Sequence, residues 1–213
     1  MIERLGWFFP DNDTHFEKYV LEFPNTQYQQ KSIDQAYDYV KNFNNAIDIG
    51  ANIGLHTVRF AQKFKSVFSF EPVTSVHECL KKNILKFNNV ENYKVGLGEN
   101  TAHKIISIPK NNTNCGQYSI VDFTNFQNEL IDEKIEIKRL DDFNLTADLI
   151  KIDTQGYELP ILRGSIETLK KNFPVLILEL ENKKDLKEVE LLLNPLGYIP
   201  VKSNKHDIIW ACE

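Results

Sequence analysis

Acids and glycines recur together at the ends of apolar runs. Asp48-Ile49-Gly50-Ala51-Asn52-Ile53-Gly54 is one such stretch and Asp153-Thr154-Gln155-Gly156 another. Phe70-Glu71-Pro72, Gly96-Leu97-Gly98-Glu99 and Glu179-Leu180-Glu181 complete the set. Five of the nine glycines (50, 54, 96, 98 and 156) fall in these turns. In a glycine-poor chain, that concentration suggests close approach of backbone to a ligand, because glycine has no Cβ to hold a neighbour away. The plainer alternative is that any strand-to-helix turn favours glycine.

The first turn bears on the cofactor. A dinucleotide needs Gly-x-Gly-x-x-Gly, which bares backbone to the pyrophosphate at a helix N-terminus. Here Asn52 stands at the second glycine position, Leu55 at the third, and Asp48 precedes the first. A carboxylate aimed at a pyrophosphate repels it, which disfavours NAD. A cofactor with an ammonium and a sulfonium tolerates an acid there, and S-adenosyl-L-methionine has both. Glu71, 17 residues after Gly54, closes the next strand, where a carboxylate accepts both ribose hydroxyls. Asp48, Gly50, Asn52, Gly54 and Thr57 are expected around the methionine end, Glu71 at the ribose, and Gly96, Leu97 and Gly98 at the adenine.

Methyl transfer from a sulfonium is an in-line displacement, so the protein supplies orientation, water exclusion and a base. Asp153, ending a central strand, is the leading base for an alcohol acceptor; the alternative is a cap or loop role. Glu179 ends a neighbouring apolar run, with Glu181 a weaker candidate. Glu179 and Asp153 would share a proton or hold a cation, or Glu179 would bind a backbone turn. Two carboxylates are too few to define a metal site. His56 follows the cofactor turn and would line the acceptor pocket, act as base, or simply pack. Glu158 opens a helix and suits its dipole as well as a substrate. His206 is a weaker rim candidate, and His15, His77 and His103 are expected at the surface. Trp7, Phe8, Phe9, Tyr28 and Tyr37 would close over a sugar, or pack on the sheet.

The elements that position these residues follow from periodicity. Strands are expected at 46–50, 66–70, 93–97, 104–108, 134–138, 148–153 and 173–180, with a closing hairpin at 198–202 and 207–212. Helices are expected at 56–64, 75–87, 159–171 and 184–193. Ser75 with Glu78, and Ser32 with Gln35, look like capping boxes opening helices. Strand–helix alternation with short connections gives an α/β, doubly wound, mostly parallel Rossmann-like sheet with a C-terminal antiparallel hairpin. Residues 1–44 sit outside that rhythm as a helical extension or lid on a domain of 45–213.

The 213 residues are 42% hydrophobic and 11% aromatic, enough for a sizeable core. Thirty acidic against twenty-five basic residues give a net charge of −5, which argues against a general nucleic-acid binder. Cys79, Cys115 and Cys212 fit neither a disulfide framework nor a zinc spacing. The longest apolar run, Val175–Leu178, falls far short of the ~18 residues of a membrane span. With no signal-peptide pattern at the N-terminus, a cytoplasmic location is expected.

These residues resemble the FkbM-type methyltransferases, which are class I S-adenosylmethionine enzymes. The resemblance rests on Ile47 to Gly54 with Thr57, on Phe70-Glu71-Pro72, and on Asn83, Asn114, Gly116 and Leu140-Asp141-Asp142. Its longest stretch is Ile150 to Glu158, continuing to Leu162, Gly164 and Glu179; it spans roughly residues 45 to 200. Gln155 departs from the pattern, since many members carry Glu there. The resemblance implies O-methylation of a hydroxyl, commonly on a sugar or polyketide-type acceptor. The loops after Thr101 and around 114–119 would shape that acceptor site. The rival readings are an N-methyltransferase, a non-catalytic partner subunit and, less favoured, a dehydrogenase.

Overall fold

The computed structural model describes residues 1–11, 13–22, 28–109, 113–118, 130–180 and 183–212. The chain opens with a hairpin of β1 (Ile2–Arg4) and β2 (Trp7–Phe9), followed by α1 (His15–Glu22) and α2 (Gln30–Tyr37). Strand–helix alternation then begins with β3 (Asn45–Ile49), α3 (Leu55–Ala61), β4 (Ser66–Phe70), α4 (Thr74–Asn83) and β5 (Val90–Tyr93). Three strands interrupt it: β6 (Gly96–Leu97), β7 (Ala102–Pro109) and β8 (Leu130–Lys138). It resumes with β9 (Leu149–Ile152), α5 (Glu158–Arg163), α6 (Ile166–Asn172), β10 (Val175–Glu179) and α7 (Lys183–Leu193). The hairpin of β11 (Tyr198–Asn204) and β12 (Asp207–Cys212) follows.

Seven strands form the main sheet in the order β11–β12–β10–β9–β3–β4–β5. From β10 to β5 neighbouring strands are parallel, and β12 lies antiparallel between β10 and β11. The expected α/β sheet with its closing hairpin is therefore what the chain forms. β3 leads to β4 on one side while its other neighbour is β9. The crevice beyond Ile49 and Ile152 is thus the topological switch point, where open α/β sheets bind ligands.

Side chains alternate between the two faces of each strand. Ala46, Val67, Leu149 and Ile177 pack on one face with Ile33 and Ala36 of α2 and with Phe60 and Phe64. Ile47, Ile150, Leu176 and Leu178 pack on the other with Ile161, Leu169, Val189 and Trp210. The early segment is pinned elsewhere as well. Asn83 Nδ2 donates to Phe8 O (3.0 Å) and Ile53 O (2.7 Å), while Phe8 N–H donates to Asn83 Oδ1 (2.7 Å). One amide thus joins the first hairpin, the glycine turn and α4. Among the described residues, no helix is long and apolar enough to cross a membrane.

Four local expectations need correction. The strand expected at 93–97 is two: β5 ends at Tyr93, and β6 pairs with β8 in a separate three-stranded sheet with β7. The helix expected at 159–171 breaks between α5 and α6 at Gly164-Ser165. There Asp141 accepts from Thr168 N–H (2.8 Å) and Glu167 N–H (3.2 Å), giving α6 its own N-terminal partner. α4 opens at Thr74 rather than through a Ser75 box, because Glu133 of β8 accepts the Thr74 N–H at 2.9 Å. α2 opens at Gln30, and Ser32 is buried with its hydroxyl on Asp207.

The break at Gly164 has a steric cause. A Cβ there would stand 1.9 Å from Gly98 O, so the helix end lies directly on backbone. Gly164→Ala is expected to lower unfolding free energy by about 1–3 kcal/mol, as over-packing does, read as a reduced urea midpoint.

Candidate active site

At the end of β3 the chain turns sharply back on itself. Gly50 has φ +77°, and both Gly50 N–H and Ala51 N–H donate to Phe70 O at 3.0 Å. A Cβ on Gly50 would lie 1.9 Å from Asp153 O, so the ends of β3 and β9 cross almost in contact. At this glycine the close approach is to the chain's own backbone. Asn52 takes φ +52°, and its N–H donates to Glu71 Oε2 at 3.1 Å. Val73 N–H donates to Glu71 Oε1 at 2.9 Å. Two turns are therefore organised around one carboxylate, which burial raises to about pKa 7.

Two adjoining cavities open at this crossing. The first, about 60 Å³, is bounded by Phe70, Glu71, Val95, Leu97, Tyr157 and Ile161, with Gly96 also in its wall. The second, about 190 Å³, is bounded by Phe16, Tyr28, His56, Gln155 and Glu179. Gly50, Asn52, Gly116, Asp153 and Gln155 line both.

A buried cation lies behind Asp153. Lys151 is 1% exposed in β9, in register with Asp48 on β3, and its Nζ is 2.9 Å from Asp153 Oδ2. Burial alone would discharge a lysine, but Asp153, Asp48 and Asp207 hold Lys151 protonated above its usual range. Asp153 is lowered despite its burial, by the Lys151 charge and by hydrogen bonds from Glu179, Lys151 and Gln155. Gln155 Nε2 donates to Asp153 Oδ1 at 3.0 Å. Glu179 moves the other way: burial and the Asp153 charge raise it to about 8. At neutral pH the pair carries one proton, held on Glu179 and shared toward Asp153. Gln29 Nε2 lies 3.4 Å from Glu179 Oε2, while its Oε1 is 2.9 Å from His56 Nε2. Burial holds His56 neutral, so Nε2 donates to Gln29 and the buried Nδ1 has no partner among the described residues.

The structure gathers Gly50, Asn52, Glu71, Gly96 and Leu97 at the first cavity and His56, Asp153 and Glu179 at the second. Asp48, Gly54, Thr57 and Gly98 stand outside both walls. Asp48 sits within β3 rather than beyond its end, accepting from Thr57 Oγ1 at 2.6 Å; burial raises it to about 6. A Cβ on Gly54 (φ +94°) would be 2.7 Å from Leu80 Cδ1, and Gly98 packs against Ile137 and Tyr157. Glu158 accepts from Thr154 N–H (2.9 Å) and Gly156 N–H (3.2 Å), so it organises the turn after β9. His77 is buried, contrary to expectation, and hydrogen-bonds Asn92. Glu181 and Ser119 lie outside the described residues. Two members of this polar network escaped the sequence reading, Lys151 and Gln29. The signal for Lys151 was a charge inside the apolar run Leu149-Ile150-Lys151-Ile152; nothing local marked Gln29.

A sheet with this strand order has the class I methyltransferase fold. Residues 48–200 match the methyltransferase FkbM domain, and the chain belongs to that family. Methyltransferase 1 of Beauveria bassiana is 26% identical, covering 78% of this chain and 77% of the relative. A methyltransferase FkbM crystal structure from Methylobacillus flagellatus KT aligns with TM-score 0.53 at 21% identity. That alignment covers 78% of this chain but only 42% of the larger protein. The ribosomal protein L11 methylase of Lactobacillus delbrueckii subsp. bulgaricus shares the fold at TM-score 0.56 and 11% identity, over 89% of this chain and 80% of that one.

Two predictions follow from the buried charges. Lys151→Met leaves Asp48 and Asp153 without their counter-charge and should cost about 3–5 kcal/mol at pH 8 in urea unfolding. The deficit should shrink toward pH 4–5, as Asp153 regains a proton. Glu71 has its folded pKa raised from 4.5 to about 7, so the folded state holds the proton more tightly. Its penalty is absent below about pH 4.5, grows as pH rises to about 7 and stays constant above. Wild-type stability should therefore fall across that window relative to Glu71→Gln, by on the order of 3 kcal/mol.

Proposed function

We propose that this chain is an S-adenosyl-L-methionine-dependent O-methyltransferase whose acceptor is a hydroxyl of a sugar or glycan-type molecule. One observation carries the reading: Asp153 lines both cavities, so a single carboxylate faces the donor side and the acceptor side.

The donor set suits the cofactor. Each Glu71 oxygen accepts one backbone N–H and retains a lone pair for a ribose hydroxyl. Phe70, Val95, Leu97 and Ile161 offer an apolar wall for adenine. When bound, the cofactor supplies the electrophilic methyl group. Tyr28, His15 and Phe16 of the segment 1–44 wall the second cavity, which supports reading that segment as a cover over the acceptor. The net charge of −5 supports a small acceptor over a nucleic acid.

The carboxyl pair acts on the acceptor's proton. Below about pH 8 the pair holds one proton, and its remaining ionised group, stabilised by Lys151, is a weak base. Losing that proton creates a base matched to an alcohol's needs. Lys151 offsets the doubly ionised pair, and neutral His56, through Gln29, keeps Glu179 in place.

S-adenosylhomocysteine should bind in isothermal titration while NAD stays silent, and Glu71→Ala should weaken that binding at least tenfold. With a turnover substrate in hand, kcat should rise with pH through a midpoint near pH 8 and level off about one unit higher. Asp153→Asn should lower kcat at least a hundredfold with S-adenosylhomocysteine affinity within threefold of wild type. Full turnover in that variant would move the acceptor to an amine, which needs no strong base.

A further inference from the structure

Tyr28 and Glu179 border a second space besides the acceptor cavity, an adjacent groove of about 610 Å³. One wall is the first turn of α2, with Gln30, Lys31 and Ser32; the other is the β11–β12 turn from Asn204 to Asp207. Asn204 Nδ2 donates to Gln35 Oε1 at 2.5 Å, which ties the two walls together. Leu180 N–H donates to His206 O at 2.8 Å, which ties the turn to the end of β10.

The groove's chemistry is polarised. Lys31, Lys205 and His206 are exposed along it. Lysine ammonium groups recognise carboxylate or phosphate as point charges, without demanding one geometry. Asp207 lines the same groove but is only 5% exposed. Ser32 hydrogen-bonds its carboxylate, while Oδ1 has no partner among the described residues. A buried acceptor atom is normally satisfied, and a ligand hydroxyl supplies the donor this one lacks.

We propose that this groove is the distal acceptor subsite and that the acceptor is an anionic polyol. Its carboxylate or phosphate group meets Lys31 and Lys205, and one of its hydroxyls donates to Asp207 Oδ1. The proposal rests on the acceptor reading above, since the hydroxyl to be methylated lies at the inner end, by Glu179. Charge selection and chemistry are then divided between two adjacent spaces that share Tyr28 and Glu179.

The test titrates glucuronate, glucose 6-phosphate and methyl glucoside into protein saturated with S-adenosylhomocysteine, followed by isothermal titration or NMR shifts. At least one anionic sugar is expected to bind tenfold or more tightly than methyl glucoside, and the better anion separates carboxylate from phosphate. In the double variant K31A/K205A that advantage should fall below threefold, with S-adenosylhomocysteine affinity and thermal midpoint unchanged, because both lysines are exposed. Equal affinity for all three sugars, no binding by any, or selectivity retained in the double variant overturns the proposal. If S-adenosylhomocysteine itself does not bind, the same titrations on the free protein still decide the groove; lysine-dependent selectivity would uphold it and only the cofactor reading would fall.

Discussion

The centre of the molecule depends on one buried ammonium group. Lys151 sits in the middle strand of the sheet, where an unpaired charge would be intolerable, and its partners are Asp153 beyond the strand end and Asp48 across the ladder. The carboxylates depend on the cation as much as it depends on them. Asp153 is ionised because Lys151 lies against it, and burial together with the Asp153 charge keeps a proton on Glu179. A chain of charge states thus runs from inside the sheet to the wall of the second cavity. Each group sets the next, and Glu179 ends in a charge state it would not show alone in water.

That arrangement needs the ends of β3 and β9 to meet, and glycine permits it. Gly50 leaves room for Asp153 O, and Gly164 leaves room for Gly98 O. The same crossing that brings Asp153 to the switch point brings Glu71 around to gather the turns at Asn52 and Val73. Fold and site share these contacts.

The architecture was legible in the sequence because strand–helix alternation is a local signal repeated many times. Gly50, Asn52, Glu71, Asp153 and Glu179 stood out by their place after apolar runs, and the sheet sets all five at the crossing. What was not legible depends on tertiary partners. The capping boxes at Ser32 and Ser75 lost to distant acids, Asp207 and Glu133, which no local pattern announces. The split of α5 from α6 came from backbone packing at Gly164. Asp48 shared a motif with Gly50 yet lies behind the wall, because a motif does not say which of its side chains turn inward.

The pairing of β3 with β9 also bears on how the protein is made. Ala46 lies opposite Leu149 and Ile49 opposite Ile152, so the two innermost strands are more than a hundred residues apart in the chain. Loops of that length close slowly, and parallel strands cannot nucleate as hairpins. During synthesis β3, β4 and β5 emerge first, with one edge of β3 unsatisfied until β9 leaves the ribosome. For that interval the nascent chain exposes an apolar strand edge, the kind of surface that chaperones cover. Asp153 follows β9, which closes this edge, and Glu179 ends β10 beside it, so the carboxyl pair is among the later parts to assemble.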